Sequence, residues 1–122
     1  MAKRVAKENI VKELMNISES EGAMILTTEG SVIGAELKND YNKSQLITAF
    51  SELMDIINKI MSKENLDEPD QVFAIGEKKK ILIYQIKDKG LYVIVFGSEN
   101  MNTGFAKIAI EKTLPLLKEI RK

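Results

Sequence analysis

Few side chains in this sequence could carry covalent chemistry. It contains no cysteine and no histidine. Disulfides, thiolate nucleophiles and thiolate metal sites are thereby excluded, and the commonest general base and metal ligand are missing. Carboxylates, lysines and hydroxyls remain. The acid pairs Glu64/Asp67 and Glu68/Asp70 have the hard oxygen ligands that a divalent cation prefers. Their spacing fits no calcium loop, and a solvated loop is the better reading. The run Glu77-Lys78-Lys79-Lys80 could meet a phosphate or an acidic partner, but such runs more often solvate a hairpin tip. The only arginines, Arg4 and Arg121, stand near the chain ends. No phosphate loop or dinucleotide fingerprint is present, so Gly30, Gly34 and Gly76 read as turn or strand-end glycines. The expectation is a protein without catalytic residues, metal or cofactor, and not an enzyme.

Composition narrows the partners. The 122 residues carry eighteen acids against eighteen bases. A nucleic-acid footprint needs clustered excess of Lys and Arg, and a polybasic membrane anchor needs the same. The longest apolar run, Leu91 to Gly97, falls far short of the roughly 20 residues of a membrane span. Met1-Ala2-Lys3-Arg4-Val5 leads into a charged amphipathic pattern with no signal-peptide core. These features predict a cytoplasmic protein, with residues 1–122 forming one domain.

The elements that would position any site follow from periodicity. Ile10, Val11, Leu14, Met15 and Ile17 have helical spacing within Ala2–Glu19, and Gly22 is placed to take a left-handed cap after it. Ala23–Thr27 and Val32–Leu37 read as a hairpin around Thr28-Glu29-Gly30-Ser31. Asp40 or Asn42 can cap a helix over Ser44–Met61. After the breaker-rich loop Asn65–Asp70, a meander follows: Gln71–Gly76, Lys80–Ile86 and Leu91–Gly97. A last helix begins at Asn102 or Thr103, runs toward Ile120, and contains Pro115, which should remove a hydrogen bond and kink it. Ile81–Ile86 and Leu91–Phe96 are apolar on both faces, as strands are in a sheet covered on both sides. The first and last helices are expected on one side and the central helix on the other. The third strand, Val72-Phe73-Ala74-Ile75, has no charge and as a free edge would invite another chain.

The central helix has an apolar arc that is too wide. Leu46, Ile47, Ala49, Phe50, Leu53, Met54, Ile56, Ile57, Ile60 and Met61 fill one half of its wheel. A surface helix needs a stripe of only about 100° to seat on one core. Either the helix has a second apolar neighbour, such as another copy or a close relative, or it is sunk deep in a monomer's core. Met54 and Met61 fit an adaptable binding surface or plain core filling.

The run Glu21-Gly22-Ala23-Met24-Ile25-Leu26-Thr27-Thr28-Glu29-Gly30 resembles the opening hairpin of Roadblock/dynein light-chain domains. The helix from Leu46, the meander from Gln71 and the closing Asn102-Thr103-Gly104-Phe105 follow the same order over nearly the whole chain. The resemblance is to stand-alone prokaryotic members, archaeal in type. It implies an α/β fold, an α-β-β-α-β-β-β-α three-layer sandwich around a five-stranded antiparallel sheet with profilin-like architecture. It also implies dimers in which central helices lie side by side and third strands pair into one continuous sheet. Family members act as platforms and regulators for small Ras-like GTPases and as motor-complex adaptors.

The expected function is a non-enzymatic dimeric regulator or scaffold that binds a small Ras-like GTPase and affects its GTP hydrolysis. The alternative is a small-molecule sensor of profilin-like or PAS-like architecture, which would need a pocket with convergent polar groups. The dimer seam is expected at Ile47, Phe50, Met54, Ile57, Met61, Val72, Phe73 and Ile75, between identical or paralogous chains. The polar arc Ser51, Glu52, Asp55, Asn58 and Lys59 is the expected GTPase-binding surface. Met54→Glu should split the dimer or unfold the chain.

Overall fold

The computed structural model describes residues 7–38, 40–63 and 70–117. The elements run α1 (Lys7–Met15), β1 (Ser20–Thr27), β2 (Val32–Leu37), α2 (Lys43–Lys63), β3 (Gln71–Ile75), β4 (Lys79–Ile86), a 3-10 turn (Lys87–Lys89), β5 (Leu91–Ser98) and α3 (Thr103–Leu117). This is the order expected from periodicity. Both caps are asparagines: the Gln45 N–H donates to Asn42 Oδ1 at 2.9 Å, and the Phe105 N–H donates to Asn102 Oδ1 at 2.9 Å. The α3 helix continues through Pro115 to Leu117. Arg4, Arg121, the acids Glu64, Asp67 and Glu68, and the expected ends of the first and last helices lie outside the described residues.

The five strands form one antiparallel sheet in the order β2-β1-β5-β4-β3. Strand β5 is central, and its residues from Leu91 to Gly97 are all buried. Its alternate side chains feed two cores. Leu91, Val93 and Val95 join Ala23, Ile25, Leu82 and Tyr84 beneath α1 and α3, which contribute Ile10, Leu14, Ala106 and Ile110. Tyr92, Ile94 and Phe96 join Met24, Leu26 and Ile83 beneath α2, which contributes Phe50 and Met54. The three layers and the division of the helices are as expected. The outer strands are β2 and β3, so the uncharged third strand stands at an edge of the sheet.

One local expectation is corrected. The left-handed residue after α1 is Glu19, with φ 71°, and not Gly22. Gly22 lies inside β1, where it pairs with Leu37 and Phe96. Its missing side chain serves close approach: a Cβ there would overlap the Phe96 ring. That ring cannot swing clear, because Tyr41 meets it edge-on at 5.0 Å and Phe50 lies 6.3 Å away. Gly22→Ala should therefore cost about 1–3 kcal/mol by overpacking, measured as a lower denaturation midpoint with unchanged slope.

Candidate protein-interaction surface

Helix α2 presents three kinds of surface. Phe50 and Met54 are 6% and 0% exposed against the sheet, with Ile47, Ile57 and Met61 half-buried beside them. A second stripe is left outside: Leu53, Ile56 and Ile60 are 39%, 56% and 55% exposed, and Ala49 is exposed with them. The remaining arc is polar. Ser51 stands close to the β1–β2 turn, 3.5 Å from where a Cβ on Gly30 would lie. Ser51 and the Leu53/Ile60 stripe are on opposite flanks of the helix, so the exposed apolar flank looks toward β3.

Among the described residues strand β3 ends the sheet and pairs only with β4. Val72 is half-buried under the α2 side. Phe73 and Ile75 lie on the α3 side and remain exposed. Phe73 packs 6.2 Å from Tyr84, and the Lys107 ammonium stands 5.4 Å from its ring centre. The outward N–H and C=O groups of an uncharged edge strand are a template for another strand. Apolar helix flank and open strand edge thus lie side by side.

The expected seam must be redrawn. Phe50 and Met54 are enclosed by this chain's own core and have almost no surface to give a partner. The wide arc is two stripes added together, one for the sheet and one left uncovered. The residues missed are Leu53, Ile56 and Ile60, although their spacing carried the signal. The expected partner-binding arc also divides. Ser51 Oγ and Asn58 Oδ1 are buried without a partner among the described residues, and Asn58 Nδ2 donates to the Tyr92 hydroxyl at 3.3 Å. Both side chains face inward. Glu52, Asp55 and Lys59 are exposed.

At the other end of the sheet a polar latch holds the approach to α2. Glu21 Oε1 accepts from the Tyr41 hydroxyl and the Lys79 ammonium, each at 2.6 Å. Hydrogen bonds from Lys79 and then Tyr41 hold the Glu21 carboxyl below its ordinary value of 4.5. Lys80 Nζ donates to the Met101 carbonyl at 2.9 Å. Two lysines of the expected solvated run are therefore engaged in the fold. On the opposite face, burial and then a 3.1 Å hydrogen bond to Glu111 push the Tyr84 hydroxyl up to about 12.

No cluster of three metal-ligating side chains occurs among the described residues. Asp70 stands 3.6 Å from the Lys87 ammonium. One open cleft of about 500 Å³ borders Asp55, Asn58 and Lys59, and another of about 620 Å³ lies between Tyr84, Glu111 and Pro115. No helix among the described residues is long and apolar enough to cross a membrane.

The sequence profile of the Roadblock/LC7 domain matches residues 6–96. The chain belongs to the Roadblock/LC7 family. Members of the Roadblock/LC7 family are regulatory or adaptor proteins. Comparison with curated protein sequences finds no match. Solved Roadblock-type structures share the fold. MglB of Myxococcus xanthus superposes with TM-score 0.84 at 11% identity, over 100% of this chain and 98% of its own. A structure described as MglB with a tetrameric arrangement gives 0.76 at 12%, over 91% and 87%. The gliding protein MglB of Thermus thermophilus gives 0.74 at 12%, over 92% and 88%.

The latch predicts an acid-side stability loss. A carboxyl with a lowered folded pKa stabilises above its unfolded value, and that contribution disappears as pH falls through the folded value. Stability should therefore fall as pH drops below about 4.5, and Glu21→Gln should flatten that part of the profile while lowering the plateau. Urea midpoints against pH measure both.

Proposed function

We propose that this chain is a non-enzymatic cytoplasmic regulator or scaffold whose homodimer binds a small Ras-like GTPase, with residues 1–122 acting as one domain. The observation that carries the reading is the exposed stripe Ala49, Leu53, Ile56 and Ile60 beside the uncharged edge β3. A two-fold axis normal to the sheet joins two β3 strands antiparallel and brings two α2 helices together on one face. Such an interface should bury about 1,200–2,000 Å² in total. The MglB arrangement described as tetrameric supports self-association in this fold.

The GTPase half rests on family membership and on the site left after dimerisation. Asp55, with Glu52 and Lys59, forms a charged upper surface on α2, and the two-fold doubles it. Rim charges of this kind steer a partner and set specificity. Arginine occurs only at Arg4 and Arg121, so none stands on α2 or β3 to act as a finger, which supports ordering of the GTPase's own residues as the means of any stimulation of hydrolysis.

Two measurements test this. Light scattering should report a dimer at micromolar concentration, and Ile56→Asp should give a folded monomer, because Ile56 lies outside the core. Met54→Glu should instead unfold the chain, as circular dichroism would report. Pull-downs against Ras-like GTPases loaded with GTP or GDP analogues should show binding that Asp55→Lys weakens without dissociating the dimer. A monomeric wild type removes the dimer reading, and failure to bind any such GTPase removes the regulator reading.

A further inference from the structure

The exposed flank of α2 carries a repeat that its own core does not require. Ala49, Leu53, Ile56 and Ile60 are exposed and spaced by four, three and four residues, the a/d rhythm of a two-helix seam. In that heptad Glu52 and Lys59 both occupy the flanking position on the solvent side. Phe50 and Ile57 occupy the other flank, against the sheet. Glu52 and Lys59 are exposed, and neither forms an ion pair among the described residues.

The chain's own geometry gives the level of a two-fold axis. Phe50 packs on Phe96, whose row crosses the sheet through Ile81 to Ala74. Eight residues on, Asn58 bonds Tyr92, which is paired with Gln85. Midway between them, Met54 falls at the row of Ile94, Ile83 and Val72, within one residue of the middle of β3. One axis normal to the sheet therefore serves both β3 and α2. It makes the two helices antiparallel and sets Leu53 against Ile56 of the second copy. In an antiparallel pair, residues at the solvent-side flank face their equivalents on the other helix. Glu52 then lies beside Lys59 of the second copy, and symmetry repeats the contact.

We infer that Glu52 and Lys59 select a second copy of this chain as the partner of α2, through two symmetry-related Glu–Lys pairs above the apolar seam. The inference rests on the proposed dimer and deepens it. The apolar stripe supplies affinity without discrimination, since any Roadblock-type helix with a similar stripe could seat on it. The paired charges supply choice: they favour a self-complementary partner and repel a helix with like charge at the facing position.

The test uses the full chain at low salt, with dimer dissociation measured by sedimentation equilibrium. Glu52→Lys and Lys59→Glu should each raise the homodimer's dissociation constant by about tenfold or more, because both pairs become like-charge contacts. Mixing the two variants should restore wild-type affinity as a heterodimer, and Glu52→Lys/Lys59→Glu in one chain should restore the homodimer. The neutral variant Glu52→Gln/Lys59→Gln should lose the salt dependence of dimerisation that the wild type shows. A wild-type dimer whose affinity ignores these changes, or single variants not rescued by mixing, would overturn the inference and leave the dimer standing. A monomeric wild type would overturn both.

Discussion

Everything in this fold follows from a sheet that is apolar on both faces and unequally covered. Five strands at about 4.8 Å spacing span roughly 19 Å between the outer two, while a helix with its side chains is about 10 Å thick. Two helices, α1 and α3, share one face. Among the described residues the other face has α2 alone, and one helix covers about half of it. The shortfall appears at the margins, where Ala35, Leu37, Val72 and Ile81 are only half-buried beneath α2. On the β3 side it coincides with an open strand edge and with an uncovered apolar flank of α2 itself.

The placement of α2 depends in turn on one packed corner. Gly22 leaves space for the Phe96 ring, which Tyr41 and Phe50 then enclose. The same Tyr41 directs its hydroxyl to Glu21, which also accepts from Lys79. Aromatic packing and the ion pair thus hold the segment entering α2 to β1 and to the start of β4. A glycine, an aromatic cluster and a partly shielded carboxylate set the position of α2.

Glu21, with its carboxyl held below the ordinary value, and Tyr84, with its hydroxyl pushed up, are tied into hydrogen bonds that join structural elements. The lysines of the β3–β4 turn region fasten the fold at Glu21 and at the Met101 carbonyl. The chain's family is one of regulatory and adaptor proteins.

Periodicity in the sequence was enough to determine the order of elements and the alternation of β4 and β5 between two cores, and it narrowed each helix cap to two candidates, of which the structure uses the asparagine. These are local properties: side-chain direction repeats every two residues in a strand and every 3.6 or so in a helix, whatever lies opposite. The sequence also determined that α2 is apolar over too wide an arc. Only the tertiary structure decided how that arc divides. Met54 and Leu53 are neighbours of similar hydrophobicity, yet one is enclosed and the other is exposed, because the sheet meets the helix along one line. The same holds for Gly22, whose role comes from a ring that is distant in sequence, and for Ser51 and Asn58, whose polar side chains turn inward toward the sheet. Composition gives the chemistry of a face; which surface it meets is a long-range property of the folded chain.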